Sequence, residues 1–404
     1  MHRPHHLAKQ IRKLNASRKD NSSYYNFGYE YLGPFLYGFS SWLKNELTKD
    51  EIEKIFFFSR DGYMMQKAFQ LLTNEKAFNF KYVYFSRKSL ILALLYNLST
   101  YEVSLQYLSK SRFVTFEFWL EYYGFNKEKR IIISEKHNID LCKEYRYNEL
   151  FQNEELKNIY YELKIEIDQN SKNESDLLYK YLNQIGLDGH CAIVDIGWHG
   201  SMQYMLEQFC TLNNISIDLH GYYIGIQPTN KLTGKVSGYL YDQNNYRLRK
   251  SVLCSLGIYE RLFQSLEGSV IKYSSANNKI IPVLDEYEYS NELNIVQRII
   301  DFQTGGIDFI TTVVNKKLSF TILDIAKPLI NFGKYPTLKD LKLFAGFYNI
   351  DGNKYYYLCN KRIFRYSLRK LLYDLSNSPW KTGFLKSAFK VPFPYFEIYK
   401  ILRK

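Results

Sequence analysis

"KIFFFSRDGYMMQKAFQLL" (residues 54–72) decides how this chain is read. An apolar run, Ile55–Phe58, breaks off in Ser59, Arg60, Asp61 and Gly62. The residues that follow put Met64, Met65, Ala68, Phe69 and Leu72 on one helical stripe. A short apolar run that hands over to a 3.6-residue period is a strand followed by a helix. The unit recurs in kind: "KYVYFS" (81–86) leads into "RKSLILALLYNL", and "HCAIVDIG" (190–197) leads into "WHGSMQYMLEQFC". "HGYYIGI" (220–226) reads as a fourth strand. Strands alternating with helices predict an α/β fold with a Rossmann-like parallel sheet. Ligands of such sheets collect at the carboxyl ends of the strands, and three of those ends here read SRDG, SRKS and DIGWHGS.

The rest of the chain is organised around these units. Residues 1–27 are polar and basic and are expected to form a tail or a frayed helix. Residues 28–290 are the expected Rossmann-like domain, opened by an amphipathic helix over 28–48 with Pro34 near its first turn. A helical insertion is expected over about 100–187, with "FEFWLEYYGF" and "ESDLLYKYLNQIGL" as its clearest helices. "SLGIYERLFQSLEG" is expected to be a helix ending at Gly268, and "SVIKYSSANNKIIPVL" a hairpin turning at Asn277–Asn278. Residues 291–404 are expected to be helical additions, with a long helix interrupted at Gly305–Gly306. The last stretch, 361–404, carries eleven Lys or Arg against two acids, interleaved with Phe364, Leu368, Leu371, Trp380, Phe384, Phe389, Phe393 and Phe396. Basic residues with large aromatics suit contact with an anionic membrane surface.

Composition narrows the classes. Of 404 residues 46% are hydrophobic, enough for a substantial core. The formal charge of +13 admits nucleic acid, anionic lipid or a phosphorylated substrate. No compact basic repeat, zinc finger or aromatic RNP signature is present, which argues against nucleic acid. Five scattered cysteines, none in CxxC, read as reduced, buried thiols of a cytoplasmic protein and not as metal ligands. No run of about 18 apolar residues occurs, so no membrane-spanning helix is expected.

In "DIGWHGS" the glycines Gly197 and Gly200 bracket Trp198 and His199, and Ser201 opens a helix. Glycines at a strand-to-helix turn let backbone N–H groups approach an anion, and the helix N-terminus adds partial positive charge. The lysine of a Walker A loop is absent. Asp195 and His199 are candidate bases, and Gln203 joins the binding set. Arg60 and Arg87, each following a serine, would suit a diphosphate held bidentately. Ser59, Gly62, Ser86 and Ser89 complete that crevice, with the serines as phosphate donors or caps. Asp61 is either the ion-pair partner of Arg60 or a catalytic carboxylate. Glu267 at an expected helix end opposes the helix dipole. Glu260, seven residues earlier on the same expected face, would pair with it as base or sugar-hydroxyl ligand. No DxD motif stands at a strand end, so a glycosyltransferase built this way would neutralise its leaving diphosphate with arginines and a helix N-terminus.

Taken in order, "YLGPFLYGFSSWL", "IFFFSRDGYMMQKAF", "YVYFSRKSL", "AIVDIGWHGSMQYML", "GYYIGI" and "YERLFQSLEGSVIKY" resemble the C-terminal region of bacterial predicted haloacid-dehalogenase-superfamily hydrolases. Those proteins occur in gene clusters for capsule and O-antigen synthesis, often beside or fused to glycosyltransferases. The resemblance covers roughly residues 28–290. The dehalogenase-like domain of those proteins lies upstream of this region, so the hydrolase label does not carry over. The motif hhhhDxDGT of that superfamily would align Asp61–Gly62 with its second Asp and Gly, but Ser59 stands at the nucleophile and Tyr63 replaces Thr. A neutral serine cannot form the aspartyl-phosphate or supply that carboxylate to Mg²⁺.

The resemblance and the strand ends together predict a transferase of bacterial surface-polysaccharide assembly, with a glycosyltransferase as the leading reading. Its partners would be a nucleotide-sugar donor and a glycan or lipid-linked acceptor. It would be cytoplasmic or peripheral at the inner membrane face through 361–404. The alternatives are an atypical phosphohydrolase or phosphotransferase using Mg²⁺ on Asp61 and Asp195, or a non-enzymatic partner of a glycosyltransferase.

Overall fold

A computed structural model describes residues 3–15, 21–73, 77–108, 113–227, 231–351 and 353–402. Its strands in chain order are β1 (Lys54–Phe58), β2 (Asn79–Val83), β3 (Phe113–Thr115), β4 (Glu144–Arg146), β5 (Gly189–Trp198), β6 (Ile217–Ile226) and β7 (Lys235–Tyr241). They are followed by β8 (Val270–Ala276), β9 (Lys279–Leu284), β10 (Tyr348–Asp351) and β11 (Asn353–Tyr356). Five of them form one parallel sheet in the order β2-β1-β5-β6-β7. The expected α/β architecture with a Rossmann-like parallel sheet and helical additions is therefore present. The sequence reading lacked β7. Only residues 227–234 separate it from β6, shorter than the helical crossover that parallel neighbours usually need.

Alternation along the strands sorts side chains into two cores. Ile55, Phe57, Ala192, Val194 and Ile196 face one, and Phe56, Phe58, Cys191 and Ile193 face the other. The first core is roofed by helices 33–49, 62–72, 256–263, 293–315 and 322–334. The second is roofed by helices of the 100–187 insertion, chiefly the 32-residue Glu154–Ile185 helix, and by 87–94, 201–212 and the β8–β9 hairpin. Both faces are covered, which is why the strands are almost wholly apolar. The hairpin turns at Asn277–Asn278 as its sequence predicts, both with φ near +50 to +60°.

Several boundaries differ from the sequence reading. Of the two expectations for the basic N-terminus, a tail or a frayed helix, a helix is present over Arg3–Asn15, but it is docked, with Ile11 buried in the first core; residues 1–2 and 16–20 lie outside the described residues. The helix expected over 28–48 begins earlier, at Ser23, and passes through a wide π turn at Gly28–Leu32 before continuing over Gly33–Lys49. Pro34, which has no N–H to give, sits just past that turn. The helix expected to break at Gly305–Gly306 runs unbroken from Leu293 to Asn315. The glycines serve packing instead. A Cβ on Gly305 would stand 2.1 Å from the Tyr25 carbonyl oxygen, and one on Gly28 would stand 1.9 Å from that of Phe302. Two helix backbones thus touch through glycine surfaces.

The C-terminal aromatics divide. Trp380, Phe384 and Phe396 are buried against the body, whereas Phe364, Leu368, Phe389 and Phe393 are exposed. Cys191, Cys210 and Cys254 are buried, but Cys142 is exposed and Cys359 half-buried, so the expectation of uniformly buried thiols holds for three of five.

The glycine-lined crossing gives a stability prediction. Gly28→Ala should lower unfolding free energy by about 1–3 kcal/mol, because the new methyl drives into rigid backbone. An exposed control such as Lys13→Ala should stay within about 0.5 kcal/mol. Urea melts of the two variants check the ranking.

Candidate functional site

The sheet reverses its winding between β1 and β5, since β2 lies on one side of β1 and β5, β6 and β7 on the other. Ligand crevices form outside the carboxyl ends of strands at such a switch point. The register deepens it. β1 pairs with β5 only as far as Phe57 opposite Val194, while β5 continues to Trp198 opposite Ile226 on β6. Asp195 therefore does not end its strand, as the sequence suggested, but lies within a stretch of β5 that has lost its β1 neighbour. The result is a cleft of about 880 Å³ lined by all three expected strand ends, including Ser59, Arg60, Asp61, Ser86, Arg87 and Asp195.

Local chemistry fixes each exit. The Ser59–Arg60 peptide is cis. The Ser59 hydroxyl donates to the Phe85 carbonyl and accepts from the Phe85 N–H, both at 3.2 Å, so it staples β1 to the segment after β2. It is committed to backbone and is not a phosphate ligand. Ser86 and Ser89 form a reciprocal capping box, and the Ser86 hydroxyl also donates to Val270 O at 2.6 Å. Ser89 is buried there and does not line the cleft. Arg87, by contrast, is exposed at the cleft and has no ion-pair partner among the described residues. At the end of β5, Gly197, Trp198 and Gly200 have φ of +101°, +71° and +64°. A Cβ on Gly197 would stand 2.5 Å from Gly225 O. Trp198, bulky and left-handed, is held by its indole N–H donating to Glu260 Oε1 at 3.2 Å. Gly200 caps the Ser201–Leu212 helix without a side chain, leaving the first N–H groups of that helix uncapped beside the cleft-lining Ser201 and Met202.

Three carboxylates gather at the base of the cleft. Asp61 and Asp195 each have an Oδ1 sealed from solvent with no hydrogen-bond partner among the described residues. Burial pushes the Asp61 carboxyl well above the usual range, and the nearby Asp195 and Glu260 push it further, while Arg60 and Gln264 oppose. Burial also raises Asp195, to about 7, with the Ile196 and Gly197 N–H groups restraining the rise. Glu260 accepts from Trp198 and from Asn349 Nδ2 at 2.8 Å. His199 stands exposed at the rim with its pKa lowered by partial desolvation and by Arg87 and Arg249. That shift favours its neutral form.

Arg60 corrects the sequence reading most. Its guanidinium grips Glu288, Nη1 to Oε2 at 2.5 Å and Nη2 to Oε1 at 3.3 Å, and donates to Glu267 O at 3.0 Å. Arg261, only 2% exposed, donates to the same carboxylate at 2.8 Å. One Glu288 thus holds two arginines, and Arg60 is not available to clamp a diphosphate beside Arg87. Glu267 is also displaced from its expected role. The helix ends at Phe263, so Glu267 lies in a bend and not on a helical face with Glu260. Its carboxylate accepts from Tyr82 at 2.7 Å, Ser265 at 2.8 Å and Tyr84 at 3.3 Å, outside the cleft lining. Gln203 is buried in the second roof, bonded to Glu207 and Tyr223. Gly62 is a packing residue whose Cβ would press on Phe57 at 3.0 Å.

Glu288, Arg261, Gln264 and Asn349 were missed by the sequence reading. Arg261 and Gln264 sat inside the "YERLFQSLEG" stretch already singled out, but Glu288 and Asn349 lie in segments without strand-end context. Among the described residues no three His, Cys, Asp or Glu side chains converge as a metal centre. No known family model matches the chain, and no curated protein matches it either.

The shared carboxylate yields a pH prediction. Glu288 is buried, which alone would raise its pKa, but Arg261 and Arg60 override this and hold it at about 2. Its folded pKa is depressed, so its stabilisation is full above the unfolded value of about 4.3 and is lost as pH falls toward about 2. Glu288→Gln should cost about 3–5 kcal/mol at pH 7, because two arginines lose their counter-charge. It should also flatten the decline of stability between pH 4.5 and 2.5. Denaturant melts across that window check both.

Proposed function

We propose that this cleft performs group transfer from a nucleotide-activated sugar to a hydroxyl acceptor, a glycosyltransferase activity in surface-polysaccharide assembly. The observation that carries the proposal is the buried Asp195 carboxylate, raised to a pKa of about 7 and with no partner for its Oδ1 among the described residues, in a cleft large enough for a nucleotide sugar. A carboxylate tuned near neutrality is suited to take the proton of an attacking hydroxyl. Glu260 and Asn349 offer hydrogen bonds to sugar hydroxyls. The leaving diphosphate would be met by Arg87 and the uncapped N–H groups at Ser201. Arg60 acts at one remove, by fixing the wall through Glu288.

Asp61 and Asp195 also favour a second reading, an atypical phosphotransferase. Their two partnerless oxygens form a hard donor pair of the kind Mg²⁺ takes together with substrate phosphates. Such an ion would supply charge neutralisation to a transferring or departing phosphate. The commitment of Ser59 to the Phe85 backbone leaves this reading without a nucleophile on β1.

The 361–404 segment supports placement at an anionic membrane surface. Leu368 and Leu372, one turn apart on the Leu368–Asn377 helix, are 72% and 55% exposed, and Phe364 in the preceding turn is 74% exposed, with Arg362, Arg365 and Arg369 nearby in sequence. Among the described residues no helix is long and apolar enough to cross a membrane.

Two experiments test these readings. A thermal-shift panel of UDP-, GDP- and CDP-sugars, with and without Mg²⁺, should show stabilisation by one donor that is weakened at least tenfold in affinity by Arg87→Gln. No response to any donor would sink the glycosyl-transfer reading, and stabilisation by Mg²⁺ alone, lost in Asp61→Asn, would favour the second. Asp195→Asn should abolish turnover yet raise the melting temperature at pH 8. The folded pKa of Asp195 is raised, so its burial costs nothing below pH about 4 and grows to its full cost as pH passes about 7. Separately, the wild-type chain should sediment with phosphatidylglycerol vesicles, and a Phe364→Ser, Leu368→Ser, Leu372→Ser variant should not. Equal sedimentation of both would remove the membrane assignment.

A further inference from the structure

A second cavity of about 560 Å³ lies beside the first. It is lined by Arg247, Arg249, Lys250, Lys334 and Lys400, and its single lining acid among the described residues is Glu397. Glu397 is already committed to Lys400 at 2.5 Å. Lys334 is the unusual member. It is half-buried, with its ammonium 5.0 Å from the Tyr335 ring centre and 5.3 Å from that of Phe396, and it makes no ion pair among the described residues. Burial lowers its pKa, with Lys400 adding to the effect and Glu397 opposing it. The other acid-capable neighbour, Cys254, is a buried thiol pushed up to about 12 and is neutral. Holding an unpaired ammonium among four other cations is costly unless an anion joins them.

Two side-chain contacts connect the cavities. Arg249 donates from Nη2 to Gln227 Oε1 at 2.6 Å, and Gln227 Nε2 stands 3.4 Å from His199 Nε2 at the rim of the first cleft. Arg249 lines one cavity and His199 the other. Aromatic faces flank the cations: Tyr335 is 52% exposed and Tyr246 39% exposed. A ligand with a phosphate or diphosphate and an apolar or planar portion would match both features.

We propose that this cavity is a second anion site that holds the phosphate or diphosphate of the acceptor, so that the acceptor hydroxyl reaches the cleft past His199. The anion site stands on its own geometry; its assignment to the acceptor rests on the transferase reading above. A free phosphorylated glycan and a lipid-linked one share this chemistry.

The test uses the full chain carrying Arg87→Gln, which removes the free arginine of the first cleft. Calorimetric titration with inorganic pyrophosphate should still show one binding site. Adding Lys334→Gln and, in a separate chain, Arg247→Gln should each weaken it at least tenfold. Arg247 is exposed, so its variant keeps the test valid if the Lys334 variant fails to fold. No pyrophosphate binding in the Arg87→Gln chain, or affinity unchanged by Arg247→Gln, would overturn the proposal. Displacement of pyrophosphate by monomeric dihexanoyl phosphatidic acid would assign the site to a lipid-borne phosphate. Displacement by glucose 1-phosphate alone would assign it to a soluble one. Because Asp195→Asn turnover is read in the first cleft, loss of the transferase reading would leave the pyrophosphate result standing, and the reverse.

Discussion

One carboxylate holds the cleft together. Glu288 accepts from Arg60 at the end of β1 and from Arg261 on the 256–263 helix, and Arg261 also donates to Tyr348 O and Asn349 Oδ1 at 3.2 Å. The Arg261 guanidinium lies 4.5 Å from the Tyr289 ring centre as well. Four segments far apart in sequence therefore meet at a single charge. Buried ion networks contribute little net stability when complete, but removing one member leaves uncompensated charge. Glu288 is thus better understood as fixing the positions of the cleft walls than as a large source of folding energy.

That arrangement changes the electrostatics of the site. With Arg60 and Arg261 satisfied, the cleft presents the carboxylates of Asp61, Asp195 and Glu260 against one free arginine, Arg87. Burial, with repulsion from neighbouring carboxylates, raises the pKa of Asp61 and Asp195, which is the condition for a carboxylate that accepts a proton near neutrality. Cations gather instead in the neighbouring cavity around Lys334. Buried carboxylates and clustered cations thus occupy separate cavities, linked by the contacts of His199, Gln227 and Arg249.

Much of this was legible in the chain. The apolar runs at 54–58 and 190–196 specify strands buried on both faces, and the polar residues that follow mark the ends that line the cleft. Asp61, Arg87, Asp195 and His199 all reached the cleft. Less legible were residues whose partners are remote. Ser59, Ser89 and Gln203 have the chemistry of ligands, but each spends its hydrogen bonds on neighbouring protein groups. Gly305 and Gly306 look like helix breakers, yet they allow two helix backbones to touch.

The sequence by itself determined the α/β class, the strand-end motifs, an arginine at two of the exits (Arg60, Arg87) and an acid at two (Asp61, Asp195). Periodicity and local turn chemistry act over a few residues, so those features can be read from them. Only the tertiary structure decided which charges remain free. Arg60 and Arg87 are equivalent by context in the chain, each following a serine at a strand end. One is neutralised by Glu288, 228 residues away, and the other is not. Coulomb energy depends on distance in space, and no local pattern carries that distance.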